Sequence, residues 1–247
     1  MSSFLATVKA WVDTSLSFVY PEICQICRKE PATPAEGFLC GVCWQRVRFI
    51  QPPFCERCGL PYDGAITTKF ECTNCREMKL RFRTARAAVS ANDFMLDVIH
   101  RYKYNGAVWF EPFLARLLIQ AALPVLSRER CDLIVPVPLY PTREREREFN
   151  QAERLAKHLG RAMRIPVNKG LLRRDYPTET QTHLNRRQRA ENVRRAFGLR
   201  PDCKLHGEKV VVLDDVFTTG ATTSACAKLL LSAGAGDVSV WTVARGL

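Results

Sequence analysis

The sequence lacks the features that would place it in a membrane, outside the cell or among P-loop nucleotide-binding proteins. Its first 20 residues have no basic leading segment and no unbroken apolar run, since Asp13 interrupts them, so they do not resemble a secretion signal. No other stretch approaches the ~20 apolar residues that a membrane-spanning helix needs. No glycine-rich loop is followed by Gly-Lys-Ser/Thr, which excludes a P-loop. We therefore expect a cytoplasmic protein without a membrane span.

Acidic residues are scarce relative to basic ones, with 25 Asp and Glu against 37 Lys and Arg, a net charge of +12. Hydrophobic residues make up 47% of the chain, which is ordinary for a globular protein and argues against disorder. The basic surplus favours polyanionic partners such as nucleic acid or phosphorylated substrates, although a basic protein without such a partner has the same balance. The 247 residues allow one large domain, or a core domain with a small module.

Residues 1–20 carry apolar side chains at helical spacing, at Phe4, Val8, Trp11, Val12 and Val19. The pattern predicts an amphipathic helix that ends before the proline at position 21. Lys and Arg are few on the polar face of this helix, so packing of the helix against the protein itself is favoured over binding to a membrane surface.

Eight of the 11 cysteines form four C-x-x-C pairs within residues 24–75. A C-x-x-C turn offers two sulfurs to one side of a tetrahedral zinc ion, and a second pair closes the site. The gaps of twelve residues (28–39) and thirteen residues (59–71) each suit a short hairpin, so residues 21–83 are predicted to be two tandem zinc ribbons. The predicted ligands are Cys24, Cys27, Cys40, Cys43, Cys55, Cys58, Cys72 and Cys75.

Disulfides are the alternative for these cysteines, and they are disfavoured in a chain without a secretion signal. All eight positions are cysteine, so no coordination position remains open and the zinc, one or two ions, is predicted to be structural. The spacing leaves open whether an ion joins neighbouring or alternate pairs. So small a module is expected to need its metal to fold.

From about residue 84 predicted strands alternate with predicted helices, which indicates an α/β domain with a parallel sheet over residues 84–247. The run KVVVLDD is apolar and β-branched without alternation, as in a strand that is covered on both faces. The predicted strands are 85–91, 131–140, 209–215 and 237–245, and the predicted helices are 93–104, 112–126, about 150–163 and 221–234.

Ligands of such sheets bind at the carboxyl ends of the strands, where the turn Asp214–Thr222 is expected to lie. Residues 218–222 stand between a strand end and a helix start, so their free N–H groups and the helix dipole suit one phosphate. Gly220 permits the tight turn. Asp214 and Asp215 would repel a phosphate but accept hydrogen bonds from neutral hydroxyls, so a ribose 5-phosphate fits the whole string. The alternative is that the two aspartates only end a strand and cap a turn.

The string VVVLDDVFTTGAT (210–222) resembles the phosphoribosyl pyrophosphate (PRPP) signature of type I phosphoribosyltransferases. The wider chain resembles the ComF/GntX family, in which a zinc-ribbon module precedes that fold. Besides the cysteine pairs, the resemblance is carried by IHRYKYNG (99–106), PVPLYPTREREREFNQAERLA (136–156), TQTHLNRRQRAENVRRAF (180–197) and VWTVAR (240–245).

The resemblance implies a site for PRPP and Mg²⁺. Asp214 and Asp215 would bind the ribose 2- and 3-hydroxyls and favour the positive charge that grows on the ring during transfer. The 5-phosphate would be bound by Thr218, Thr219, Gly220, Ala221 and Thr222. The pyrophosphate would be approached by Val137, Pro138 and Leu139, with Arg143 and Arg147 nearby. Glu148 stands where the family's R-G-F-N-Q string has glycine.

The basic segment before residue 197 has three interpretations: a solvated helix face, a lid over the ligand, or a contact for single-stranded DNA. Its candidate residues are Gln181, Arg189, Asn192, Arg194 and Arg195. No aromatic residue interleaves with the arginines of 186–195, so a base-stacking platform is not indicated.

The function implied by the resemblance is PRPP-dependent phosphoribosyl transfer, linked to DNA uptake in natural transformation. The alternative is a non-catalytic module that binds single-stranded DNA or senses PRPP. In that alternative the zinc ribbons would dock helicase or recombination proteins.

Overall fold

The computed structural model describes residues 22–62, 64, 72–78, 80–177, 195–201 and 203–246. The helix predicted over residues 1–20 lies outside the described residues. The chain divides into two compact units, Met1–Arg46 and Val47–Leu247. The second of these units contains the last two cysteine pairs as well as the sheet. The predicted boundaries at residues 20/21 and 83/84 stay predictions.

Both halves of the cysteine-rich region use the same local geometry. In each half, the amide that follows the first pair donates to the carbonyl of that pair's first cysteine, at 2.8 Å. The second pair then begins a short helix, α1 (Gly41–Trp44) after Cys40 and α2 (Thr73–Glu77) after Cys72. A turn and a helix start therefore present two sulfurs each, as a zinc ribbon requires.

In the described part of the second unit, four parallel strands form one sheet in the order β1-β6-β5-β2. Pro136 lies opposite Leu213, and Phe217 lies opposite Arg245, so the carboxyl ends of β2, β5 and β6 share one rim. An antiparallel pair of short strands, β3 and β4, stands apart from this sheet. The strands are β1 (Ala85–Ser90), β2 (Leu133–Pro136), β3 (Leu172–Arg174), β4 (Phe197–Leu199), β5 (Lys209–Phe217) and β6 (Asp237–Arg245).

Helices cover the sheet, and the β5 residues Val210 to Leu213 are all buried. Val210 and Val212 share a core with Cys226 and Leu230 of α7 and with the last two cysteine pairs. Helices α4 and α6 pack on each other and on the sheet. The helices are α3 (Asp93–Tyr104), α4 (Glu111–Glu129), α5 (Pro141–Arg147), α6 (Gln151–Met163) and α7 (Ala221–Ser232), with 3₁₀ turns at Pro34–Glu36 and Val108–Phe110.

The predicted fold class, a parallel sheet flanked by helices with a zinc-ribbon module before it, is confirmed. The expectation that no other stretch approaches the length of a membrane span is wrong by composition: among the residues that the structure describes, the helical segment Val108–Glu129 has that length and apolar composition. Core helices of soluble proteins pass the same test, and this segment buries Phe113, Leu117 and Leu118.

Candidate functional site

The eight paired cysteines form two clusters of four, and within each cluster the sulfurs lie within 4.8 Å of one another. Cys27 and Cys40 approach to 3.7 Å between Sγ atoms, Cys55 and Cys75 to 3.8 Å, and Cys58 and Cys72 to 3.3 Å. A tetrahedral zinc with bonds of ~2.3 Å separates its sulfurs by about 3.8 Å, so both clusters fit zinc.

Each cluster joins neighbouring pairs in sequence, which answers the question that the spacing left open. The first cluster is Cys24, Cys27, Cys40 and Cys43, and the second cluster is Cys55, Cys58, Cys72 and Cys75. Four sulfurs complete a tetrahedral site and leave no position for substrate, so the zinc sites are structural.

Residues 218–222, called the phosphate loop below, connect the end of β5 to the start of α7. Gly220 caps the helix with φ 83°, and its carbonyl accepts from the Ser224 amide at 2.8 Å and from the Thr223 hydroxyl at 3.2 Å. A Cβ atom on Gly220 would lie 2.5 Å from Cζ of Phe217. Glycine is therefore required here both by the left-handed backbone and by the close approach of a ring.

Side chains bind the carbonyls at the start of the phosphate loop, and its first three amides stay available, whereas the Ala221 amide donates to Oγ1 of Thr219 at 3.4 Å. The carbonyls of Phe217 and Thr218 accept from the Arg245 guanidinium, and the Thr219 carbonyl accepts from the Asn74 amide group. No described group accepts a hydrogen bond from the amides of Thr218, Thr219 or Gly220. These amides stand at the N-terminus of α7 beside a cavity of about 50 Å³ that the loop itself lines. Free amides and the helix dipole together suit an anion such as a phosphate group.

A larger cavity of about 660 Å³ adjoins the phosphate loop and brings most of the predicted site residues together. Thr219, Gly220 and Ala221 line the smaller cavity instead, and Pro138 lines neither of the two. The predicted residues that line the larger cavity are Val137, Leu139, Arg143, Arg147, Asp214, Asp215, Thr218 and Thr222.

The two aspartates differ in their partners. Asp215 is buried, with 4% of its surface exposed, and forms an ion pair with the Lys103 ammonium. Burial raises the pKa of Asp214 to about 6, against the opposing effects of Lys103, Arg174 and Arg147. Burial likewise lowers the pKa of Lys103 to about 8, with the Asp214 carboxylate acting in the opposite direction. Both groups therefore change charge close to neutral pH.

Cationic side chains surround the acidic pair. The Arg147 guanidinium lies 4.4 Å from the ring centre of Tyr104 and donates to Oε1 of Gln151 at 3.1 Å. Arg174 lies 5.1 Å from the ring centre of Phe197, and burial, helped by Arg143, lowers its pKa. With Lys103, these arginines make the large cavity strongly attractive to a polyanion.

Sequence reasoning did not place Lys103 and Arg174 among the PRPP-binding residues. Lys103 belongs to the string 99–106 that carries the family resemblance, and it occupies the last turn of α3. Arg174 ends the short strand β3 and precedes the candidate lid or DNA-contact residues, which begin at Gln181. The ion pair of Lys103 with Asp215 and the electrostatic effect of Arg174 on Asp214 depend on how distant segments meet at the rim, which no local pattern reports.

Asn150 holds the loop after β2 in place. Its Oδ1 accepts from the amides of Ala152 and Glu153, at 2.9 and 3.3 Å, and its Nδ2 donates to the Val137 carbonyl at 3.0 Å. The Val137 amide in turn donates to Leu213 of β5 at 2.9 Å. The loop that is predicted to approach pyrophosphate is thus fixed from two sides.

Glu148 adopts a left-handed backbone, φ 64°, immediately after α5. Glycine adopts this conformation at no steric cost, which explains the glycine in the family's string. The Glu148 side chain is exposed and borders a neighbouring cavity with Arg143 and Arg147.

Of the predicted lid or DNA-contact residues, Gln181, Arg189, Asn192 and Arg194 lie outside the described residues. Arg195 is exposed and lines neither the large nor the small cavity. These roles stay predictions.

Comparisons with known proteins agree with this combination of parts. A family model described as a double zinc ribbon domain matches residues 15–79. The chain is similar to the DNA utilization protein YhgH of Salmonella typhimurium, with 33% identity over 92% of this chain and 98% of that protein. It is 30% identical to Competence protein F of Haemophilus influenzae, over 85% of this chain and 92% of that protein.

Among solved structures, the chain is similar to a purine phosphoribosyltransferase from Pyrococcus horikoshii, with 14% identity and a TM-score of 0.35. That match covers 54% of this chain and 83% of the other. The chain is similar to YhgH and Competence protein F over most of its length, and its paired cysteine clusters precede a parallel sheet, so it belongs to the ComF family.

Proposed function

We propose that this chain binds PRPP with Mg²⁺ at the rim of its sheet and acts as a ComF-type phosphoribosyltransferase-like protein. The observation that carries the proposal is the separation of donors and acceptors within one site. Free loop amides lie at one end, two carboxylates lie next to them, and Lys103, Arg143, Arg147 and Arg174 line the rest. PRPP has the matching order of 5-phosphate, vicinal hydroxyls and pyrophosphate.

In this proposal the amides of Thr218, Thr219 and Gly220 bind the 5-phosphate. The carboxylates of Asp214 and Asp215 accept hydrogen bonds from the ribose hydroxyls, so Lys103 has to exchange part of its contact with Asp215 for the ligand. The arginines of the large cavity hold the pyrophosphate by charge-assisted hydrogen bonds.

The donor set also fits Mg²⁺, which proteins usually bind through one or two carboxylates together with substrate phosphates. Here Asp214 and Asp215 would supply the carboxylates. When bound, the ion would neutralise charge on the pyrophosphate.

As an enzyme, the site would break the bond between ribose C1 and the pyrophosphate oxygen while an acceptor bonds to C1. The buried acidic pair favours the positive charge that grows on the ribose ring. Lys103 and the arginines stabilise the negative charge of the leaving pyrophosphate. The acceptor, which gives up a proton to solvent as it bonds to C1, and Mg²⁺ both come from outside the chain.

We further propose a cytoplasmic role in DNA uptake during natural transformation. Supporting this are the relatives named for DNA utilization and competence, and the net charge of +12. The second candidate, which the same charge favours, is a non-catalytic module that binds single-stranded DNA or senses PRPP, with its zinc ribbons docking helicase or recombination proteins.

Calorimetric titration of PRPP with Mg²⁺ tests the proposed ligand. Wild type is expected to bind PRPP more tightly than ribose 5-phosphate or pyrophosphate, since each of these engages only part of the site. Asp215→Asn should weaken PRPP binding. Asp237→Asn is the matched control, because Asp237 begins β6 at the opposite end of the sheet and pairs with Arg83 at 2.7 Å. No binding of PRPP by wild type contradicts the proposal.

A gel shift with single-stranded DNA at physiological salt separates the two candidates. Charge reversal of Arg194 and Arg195 should abolish a shift if the basic segment contacts DNA. If wild type binds PRPP and shifts no DNA, the DNA-binding candidate is wrong. Co-purification with helicase or recombination proteins, from the full chain and from a chain without residues 1–83, tests the docking role.

A further inference from the structure

Arg245, the last residue of β6, joins the second cluster to the phosphate loop. Its guanidinium is buried, with 3% of the residue exposed. Nη1 donates to the carbonyls of Phe217 at 3.3 Å and Thr218 at 2.7 Å, and also to that of Gly246. On the other side, Nε donates to the Cys58 carbonyl at 3.3 Å, and Nη2 lies 3.8 Å from the Cys58 Sγ.

Asn74 makes a second link between the same two parts. It lies inside the pair Cys72/Cys75, is buried, and donates from Nδ2 to the Thr219 carbonyl at 3.3 Å. Apolar contacts accompany these hydrogen bonds. Phe82 packs edge-on against Phe217, with ring centres 5.9 Å apart.

These links orient the phosphate loop. The carbonyls of residues 217, 218 and 219 all point toward Arg245 or Asn74. In a planar trans peptide the N–H of the next residue points the opposite way from the carbonyl. The amides of Thr218, Thr219 and Gly220 are therefore directed away from the second cluster, as an anion site requires.

Arg245 also lacks a carboxylate partner, because no described Asp or Glu forms an ion pair with it. A buried guanidinium needs a compensating charge nearby. Four thiolates around one Zn²⁺ carry a net charge of −2, and Cys58 is the cluster member in contact with the guanidinium. The second cluster therefore fits Arg245 electrostatically as well as by hydrogen bonding.

We propose that the second cluster positions the phosphate loop through Arg245 and Asn74. Both are positioning residues, since their contacts reach the loop carbonyls and leave the anion side of the loop free. The proposal deepens the proposed function and rests on it for the identity of the anion. It assigns the second zinc ribbon an internal role in ligand binding, beside any docking role of the zinc-ribbon module.

The test measures three properties of the full chain: affinity for PRPP with Mg²⁺, zinc content, and loop exchange. Loop exchange is the hydrogen exchange of a peptide spanning residues 217–226, which includes the hydrogen-bonded amides of Ala221 and Ser224. Asn74→Ala should lower the affinity about fivefold, the effect of one hydrogen bond worth ~1 kcal/mol. Arg245→Lys keeps the charge but loses the forked contacts, and should lower the affinity roughly tenfold or more. Both variants should accelerate loop exchange, because the loop carbonyls lose donors that hold the start of α7 in place, while retaining two zinc ions per chain.

Two controls separate this role from general loss of stability. Asn168→Ala removes a side-chain hydrogen bond away from the loop, in which Asn168 Oδ1 accepts from the Gly170 amide at 2.8 Å, and should leave affinity and loop exchange unchanged. Cys43→Ser removes a ligand of the first cluster, in the other compact unit, and should also leave both unchanged. Cys75→Ser should instead lower zinc content and accelerate loop exchange.

Unchanged affinity and unchanged loop exchange in both Asn74→Ala and Arg245→Lys overturn the proposal. So does an effect of Cys43→Ser on the loop as large as that of Cys75→Ser. If Arg245→Lys or Cys75→Ser does not fold, Asn74→Ala decides alone. If wild type binds neither PRPP nor pyrophosphate, the proposed function fails, and loop exchange still decides whether the second cluster positions the loop.

Discussion

Replacing Lys103 with methionine is expected to destabilise the protein far more than replacing its partner Asp215 with asparagine. The two side chains form an ion pair in which 18% of the Lys103 side chain and 6% of the Asp215 side chain are exposed. Lys103→Met leaves a carboxylate buried without its cation. Asp215→Asn leaves an ammonium group whose pKa is already lowered to about 8.

The expected magnitudes follow from what each orphaned group can do. At pH 7.5 Lys103 becomes neutral at a cost of about 1 kcal/mol, since its pKa of about 8 lies close to that pH. An aspartate with an unfolded pKa of ~3.9 takes up a proton at pH 7.5 only at a cost of about 5 kcal/mol. The cost of about 5 kcal/mol is an upper limit, because solvent and the neighbouring arginines stabilise the orphaned carboxylate. We therefore expect Lys103→Met to lower the unfolding free energy by about 3 kcal/mol.

The assay is urea unfolding followed by helical circular dichroism for wild type, both single variants and the double variant. The double variant should cost about 1 kcal/mol, so that removal of both partners restores most of the loss. Equal costs for the two single variants, or additive costs in the double variant, refute the reasoning.

Three further results are expected. PRPP affinity should fall below pH 6, as Asp214 takes up a proton, and above pH 8, as Lys103 loses one. In calorimetry from pH 5 to 9.5, Lys103→Met should abolish only the fall above pH 8. A fall above pH 8 that survives in this variant contradicts the assignment to Lys103. Gly220→Ala should reduce PRPP affinity more than tenfold, because its Cβ would meet the Phe217 ring. The control Gly207→Ala, also at positive φ (96°) but with open space around its Cβ, should leave PRPP affinity unchanged and cost only about 1 kcal/mol of unfolding free energy. Elemental analysis should find two zinc ions per chain in wild type and one in Cys43→Ser; a single ion in wild type contradicts the paired clusters.

Much of the fold could be predicted because its signals are local. The strand Asp237–Arg245 and the helix Asp93–Tyr104 occupy the residues that their patterns indicate. The strand after residue 131 is shorter than predicted and ends at Pro136, since the prolines at 136 and 138 end the ladder.

The site was predictable where one segment builds it and unpredictable where several segments meet. The phosphate loop combines a strand end, a glycine and a helix start in one string, so its backbone geometry was predictable from that string, and its binding of phosphate stays a prediction. The pairing of Lys103 with Asp215 joins positions more than 100 residues apart. Arg245 and Asn74 likewise reach the loop from β6 and from a cysteine pair, and their spacing in sequence gave no sign of it.

The central claim, that one ribose phosphate is shared between the phosphate loop and the acidic pair, is tested most directly by a crystal structure with PRPP and Mg²⁺. The account predicts the 5-phosphate within hydrogen-bond distance of the amides of Thr218, Thr219 and Gly220. It also predicts the ribose hydroxyls on Asp214 and Asp215. A 5-phosphate bound elsewhere, or a ribose without contact to either aspartate, contradicts the account.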